Sequence, residues 1–192
     1  MKKIPKKKQH IIDAASPLFM KYGIKKVSIE EICTEAEVSK MTFYKYFENK
    51  TKLVLYLLNQ IFDAAWHDFN HVMLQNISFP EKMKLHIQHK NDFAKNVSKE
   101  FFQDIYLSNE TEIQDFLRIN IEKSMLEIRE IFTAAQKTGE IRADLNIDFL
   151  IYFLNKIQEM VSDKTLLEMH ADVSDLTNNL VNMIFYGIMK KF

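Results

Sequence analysis

The sequence predicts an all-α fold, and three observations carry that reading. Only three glycines and three prolines interrupt 192 residues. Apolar residues recur at helical spacing along nearly the whole chain, and no run shows the alternation and turn residues of a strand. At 47% hydrophobic the chain can bury a real core, which excludes global disorder.

The first helix is expected over residues 5–22. Ile11, Ala15, Leu18, Phe19 and Tyr22 fall on one amphipathic face. Pro17 lies inside it, removes a backbone hydrogen bond, and predicts a kink or a trimmed last turn. Gly23 follows as a left-handed cap. Ser28 opens a second, short helix ending near residues 36–37. Ser28-Ile29-Glu30-Glu31 has capping-box spacing, in which hydroxyl and carboxylate each satisfy an orphan N–H. Its inner face is Ile29, Ile32, Cys33 and Ala36.

Ser39 caps a third helix over residues 40–47, with Val38 and Phe43 spaced as a hydrophobic staple. Phe43 and Phe47 point inward. Met41, Thr42, Lys45 and, in part, Tyr44 and Tyr46 are left outward. Asn49 caps a fourth helix over residues 50–75, striped by Leu53, Leu57, Ile61, Ala64 and Ala65. Lys50 and Lys52 in its first turn oppose the helix dipole, so they form a solvated face or meet an external anion. The four-residue joint between the second and third helices has the arithmetic of a helix-turn-helix.

Pro80 opens a further helix, and Ser98 caps another containing Phe101, Phe102, Ile105 and Tyr106. A long helix follows over residues 110–137 and stops at Gly139. Two helices remain. Residues 149–154 are apolar on all sides, and the final helix is also broadly apolar. A helix apolar all round must be covered all round. Two such helices favour a two-fold four-helix interface over a monomer core. Its candidates are Phe149, Phe153, Leu176, Leu180, Ile184, Gly187 and Ile188, with Gly187 permitting close helix approach.

The formal charge is zero, but it is unevenly spread. Residues 1–55 hold twelve lysines, no arginine and six acids, a net +6; the remainder holds 14 bases and 20 acids, a net −6. Such asymmetry points to a nucleic-acid or membrane contact at the basic end. The glycines are too far apart for a phosphate-cradling loop, and Cys33 is the only cysteine, so no intrachain disulfide or cysteine-based zinc cluster can form. The start of the chain lacks the apolar core of a signal peptide, and residues 149–154 fall far short of a membrane span of ~20 residues. A soluble, cytoplasmic protein without membrane contact is expected.

The run Val38-Ser39-Lys40-Met41-Thr42-Phe43-Tyr44-Lys45-Tyr46-Phe47, followed by Asn49, Lys50 and Leu53, closely resembles the signature of the tetracycline-repressor-like (TetR) family. Ala15, Phe19, Gly23, Ser28, Ile32 and Ala36 match upstream, so the resemblance covers the first quarter of the chain. It implies a homodimeric regulator whose N-terminal helix-turn-helix binds operator DNA and whose C-terminal domain dimerises and binds an effector. It also implies that effector binding moves the fourth helix and changes the separation of the two heads.

Carried over by position, the resemblance places Ser28 at a phosphate-contacting cap. Ser39 is the recognition-helix cap, and Lys40, Met41, Thr42 and Lys45 lie on that helix's outer face. Tyr44 and Tyr46 match an aromatic pair that contacts phosphates and thymine methyls. Lys50 matches a phosphate-binding lysine. The chemistry suits these roles. Lysines can donate to guanine, Met41 can pack on a thymine methyl, and hydroxyls can meet phosphate oxygens. Glu37 replaces the glycine usual in the turn and implies strain at positive φ. Glu30 either reads a cytosine amine or repels phosphate. Lys2, Lys3, Lys6, Lys7 and Lys8 form a solubilising tail or, in this context, an arm adding phosphate contacts.

Trp66, Phe69, Phe93, Phe102, Tyr106, Phe116 and Tyr152 are the candidates for an effector pocket, because aromatic residues line adaptable hydrophobic cavities. His67 and His71, and His86 and His89, have spacings that metals accept, which keeps a metal-responsive regulator open. The alternative is a set of partly exposed polar faces, and no metal or cofactor is expected. No catalytic constellation emerges, so an enzyme is not expected. The sequence thus predicts a DNA-binding domain over residues 1–50 and a helical ligand-binding and dimerisation domain over residues 51–192. The expected activity is repression, relieved when a hydrophobic effector releases a palindromic operator. The alternative is an architectural or protein-binding relative without an effector.

Overall fold

The computed structural model describes residues 4–161 and 163–188, except the side chains of 158, 161, 164, 181 and 184–188. Ten helices form among these residues: α1 (Lys6–Tyr22), α2 (Ile29–Glu35), α3 (Lys40–Tyr46), α4 (Lys50–Met73), α5 (Phe79–Ala94), α6 (Lys99–Tyr106), α7 (Thr111–Lys137), α8 (Ile147–Val161), α9 (Lys164–Met169) and α10 (Val173–Ile188). No strand occurs among the described residues. No helix there is long and apolar enough to cross a membrane.

The chain divides into two compact units, one of Met1–Asp63 with Asn96–Phe116, the other of Ala64–Lys95 with Leu117–Phe192. The division differs from the boundary expected after residue 50, because α6 and the start of α7 pack with the N-terminal helices.

In the first unit, α1 packs against α2, α3 and α6. Ile11, Ala15, Phe19, Ile32, Phe43 and Leu53 are almost wholly removed from water. At roughly 1.5–3 kcal/mol for each large apolar side chain, such burial is the main stabilising contribution. Pro17 does not end α1, which runs on to Tyr22. Both Asp13 and Pro17 are exposed, so water can meet the Asp13 carbonyl that Pro17 leaves without its helical donor. Tyr22, expected inside, is exposed.

Gly23 ends α1 at φ 87°, ψ 160°. This is not the left-handed helical cap expected but an extended positive-φ state that is essentially confined to glycine. A Cβ there would lie 2.9 Å from both Asp104 Oδ2 and Glu100 Cβ. Glycine is therefore needed both for its backbone angles and for the approach of α6. The same junction is sewn by Ser98 N–H donating to the Met20 carbonyl at 2.8 Å and Lys25 N–H to Asp104 Oδ2 at 2.8 Å.

In the second unit, Phe69, Phe79, Met83, Phe132, Ile141 and Leu150 form the core, with Phe79 edge-on to Phe132. Ser78 and Glu81 make a capping box at the start of α5, where Pro80 sits without loss because that N–H lacks a helical acceptor. Gly139, at φ +79°, turns the chain out of α7, and Glu140 returns to accept the Phe79 N–H at 2.5 Å.

The expected α4 stripe stops short: Ala64 and Ala65 are exposed. Three helices, not two, follow Gly139, because Asp163 caps the short α9 by accepting the Leu166 N–H. Nor is α8 covered on all sides. Leu150 and Ile151 are buried, while Phe149, Tyr152 and Phe153 are 62%, 61% and 40% exposed. Leu176 and Leu180, expected at an interface between protomers, are buried inside this one, where α10 packs on α5 and α8. The side chains of Ile184 and Ile188, and the surroundings of Gly187, lie outside the described residues.

Candidate nucleic-acid interface

The site is built on two capped helices joined by a short turn. Ser28 Oγ accepts the Glu31 N–H at 3.1 Å and Glu31 Oε2 accepts the Ser28 N–H at 2.7 Å, which completes the expected capping box. The Ser28 N–H and hydroxyl, both donating to Glu31 Oε2, hold the Glu31 carboxyl below the usual range. Ala36 N–H and Val38 N–H then close the turn onto the Ile32 and Cys33 carbonyls. Glu37 sits at φ +52°, so the turn does hold a non-glycine residue in the left-handed region. Cys33 is buried, and burial pushes its thiol pKa up, away from nucleophilic use.

Ser39 starts α3 by accepting the Thr42 N–H at 3.2 Å. Phe43 and Phe47 face inward as expected, and their rings contact each other. The opposite face carries Met41 at 82% and Tyr44 at 53% exposure, with Lys40 and Lys45 also exposed. Thr42 and Tyr46 are only half-exposed, and the Thr42 hydroxyl lies 3.0 Å from the Ser39 hydroxyl. The outward face of α3 is thus a helix surface of hydroxyl, thioether and ammonium groups, a set able to read base edges and methyls in a major groove.

Three charge contacts were not legible in the sequence. Glu30 on α2 pairs with Lys40 at the first position of α3, and this holds the Glu30 carboxyl low and raises the Lys40 ammonium pKa. The Lys50 ammonium is neither in open water nor directed only at an external anion. It donates to the Ile24 and Val27 carbonyls at 2.9 and 3.0 Å, and so holds the α1–α2 connection against the start of α4. Lys8 sits over the Tyr56 ring, 4.4 Å from its centroid, and 5.2 Å from that of Phe47. Lys6, Lys7 and Lys8 belong to the first turn of α1 and are not a free arm; Lys2 and Lys3 lie outside the described residues. Each contact joins residues distant in sequence or registers two turns, which periodicity does not reveal.

The aromatic candidates for an effector pocket are divided between the two units. Phe102 and Tyr106 stack on each other, and Phe116 stands edge-on to Phe62, all in the first unit. In the second unit, Trp66 packs on the buried Phe69, while Phe93 and Tyr152 are exposed. A shallow groove of about 350 Å³ between α7 and α8 is lined by Glu122, Met125, Leu126, Arg129, Ile151 and Asn155, none of them a candidate. The histidines have different surroundings. His86 is turned into the protein against Phe69, His89 lies 2.7 Å from Asp68, and His67 and His71 are exposed. No group of three metal-ligating side chains occurs among the described residues.

Two capped helices meeting in a tight turn, the second with an exposed polar face, define a helix-turn-helix protein. The family model described as "Bacterial regulatory proteins, tetR family" matches residues 11–57, the stretch that holds the helix-turn-helix. YuxN of Bacillus subtilis strain 168, an HTH-type transcriptional regulator, is 27% identical over 80% of this chain; the match spans 47% of YuxN, about half of that protein. The fatty acid metabolism regulator protein of the same organism is 24% identical over the full length of both chains. The fold is also that of the transcriptional regulator FadR from Bacillus subtilis in complex with stearoyl-CoA. There the TM-score is 0.70 at 17% identity, covering 94% of this chain and 99% of the other.

Proposed function

We propose that the chain is a homodimeric, effector-responsive transcriptional regulator that represses from a roughly palindromic operator. The observation that carries this reading is the outward face of α3, where Met41 and Tyr44 stand open on the second helix of a capped helix-turn-helix. A large thioether exposed on a rigid helix has a use when it meets another apolar group, such as a thymine methyl. Ser28, Ser39, Lys40, Thr42, Lys45 and Tyr46 complete the contact surface. Lys50 acts mainly by holding the turn that presents Ser28. The +6 charge of residues 1–55 supplies the attraction to phosphate.

Dimerisation through Phe149, Tyr152 and Phe153 is supported by their exposure on one stretch of α8. A two-fold dimer would place two α3 helices in successive major grooves, ~34–36 Å apart. The likeness to regulators of fatty acid metabolism supports a small hydrophobic effector. Such a ligand acts by binding the DNA-released state better than the DNA-bound state.

Selection of duplexes from a random pool tests the reading. A half-site repeated with two-fold symmetry is expected. Affinity should fall ~10³–10⁵-fold between about 50 and 200 mM salt, as for six to ten phosphate contacts. Unchanged operator affinity in both Tyr44→Phe and Lys50→Ala would overturn the assigned contacts.

A further inference from the structure

We propose that Glu30 of α2 and Lys40 of α3 together read one G·C base pair of each operator half-site, Lys40 on the guanine and Glu30 on the cytosine. The proposal rests on the operator-binding reading above and adds the base pair that these two charges select.

The two residues lie ten apart in sequence and meet across the turn, where the Lys40 ammonium donates to Glu30 Oε1. Their side chains are still 60% exposed for Glu30 and 55% for Lys40, so the bonded pair stands open to a ligand. Local structure does not require it. Glu31, not Glu30, closes the capping box of α2, and Ser39 caps α3. An ion pair this exposed adds little to stability. Attraction to phosphate does not require it either, because the carboxylate cancels the charge that a phosphate would meet. A joined donor and acceptor has a use when the ligand presents an acceptor and a donor side by side.

Base pairs in a major groove do this, each in its own order. A G·C pair offers two neighbouring acceptors, guanine N7 and O6, and beyond them the cytosine N4 amine. The ammonium only donates and the carboxylate only accepts. Lysine on N7 and O6 with glutamate on N4 therefore satisfies the whole edge. An A·T pair sets the adenine amine between its two acceptors and adds the thymine methyl. That methyl suits Met41, the next residue of α3 and 82% exposed, better than it suits two charges. Lys40 is the first residue of α3, and the N-terminal residues of the second helix are those that reach base edges in a helix-turn-helix. The ion pair fixes Glu30 beside it. A carboxylate there also selects against a wrong base, because a base acceptor facing it would be repelled.

The test selects duplexes from a random pool with the full chain and repeats the selection with Glu30→Ala and Lys40→Ala. The parent should select a G·C pair at one position of each half-site. Both variants should lose that preference at the same position, by about 5–150-fold, the discrimination that one well-placed base contact supplies. Preferences at the other positions should remain, which shows that the variants are folded. Lys40→Arg should keep the guanine, since arginine meets N7 and O6 in the same way. A shared position is the readout that matters, because loss of a merely structural ion pair would not single out one base pair. Relaxation at two different positions, relaxation at an A·T pair, or an unchanged preference in either alanine variant would overturn the proposal. If any of these occurs while the parent still selects a two-fold sequence, only the G·C assignment is lost. A parent that selects no sequence loses the operator reading, and the proposal with it.

Discussion

The carboxylate of Glu30 on α2 is paired with the ammonium of Lys40, the first residue of α3. Both side chains are more than half exposed, so the pair adds little to stability. Its effect is on what DNA meets, because it neutralises the cation nearest the start of the outward helix. Glu30→Gln frees that cation. Affinity for random-sequence duplex should rise several-fold. The plot of log affinity against log salt should steepen by about 0.9, the slope for one added phosphate contact. An unchanged slope in a fluorescence-anisotropy salt titration would show that Lys40 does not reach phosphate.

Gly23→Ala should destabilise the first unit by at least ~2 kcal/mol, since it combines backbone strain with overpacking. The new methyl would meet the Glu100 Cβ and the Asp104 carboxylate, both at 2.9 Å, with the backbone at φ +87°. Urea denaturation followed by circular dichroism measures the loss. A midpoint within error of the parent would mean that α6 yields without cost.

His86 makes stability fall with acid. Its pKa is about 3 in the folded chain against about 6.5 when unfolded, so between these values the unfolded state binds the extra proton. Stability from this group is intact above pH 6.5 and is lost progressively as pH falls towards 3. At pH 5 the loss is ~2 kcal/mol. Lys90, Asp68 and His89 are the charged or titratable groups acting on it. His86→Leu should flatten the difference in denaturation free energy between pH 7 and pH 5. An equal slope in parent and variant would place the acid sensitivity elsewhere.

Phe149→Glu and Leu176→Glu should fail in different ways. Phe149 is 62% exposed and its ring stacks on that of Phe153, so a charge there should leave a folded monomer. Leu176 is 1% exposed, so a charge there should unfold the protomer itself. Sedimentation velocity with circular dichroism separates the outcomes. A folded dimer of Phe149→Glu would remove α8 from the interface.

The sequence was informative wherever the physics is local. Helix spacing placed Ile11, Ala15 and Phe19 inside, and the Ser28 and Ser39 caps follow from contacts three residues apart. The positive φ at Glu37 was expected only through the resemblance, which puts a glycine at that place in the turn. The outward face of α3 was legible for the same reason, since Phe43 and Phe47 turn inward and leave Met41 and Tyr44 outward. What failed was non-local. Lys50 looked like a free cation because the carbonyls it binds are 26 and 23 residues away. Apolar character placed Leu176 and Leu180 in a hydrophobic environment but could not say whether that environment belonged to one protomer or two.

The first unit draws on residues far apart along the chain: Gly23 and Lys25 close onto Glu100 and Asp104, from the segment 96–116. During synthesis the helix-turn-helix emerges complete in sequence but without this support. At ~5–20 residues per second, the ~50 residues from the start of α4 to α6 take some 3–10 seconds to appear. Nascent chains would pass through an interval with the helix-turn-helix exposed and only partly braced. A ribosome stalled before residue 100 would hold a helix-turn-helix that lacks the clasp on α1.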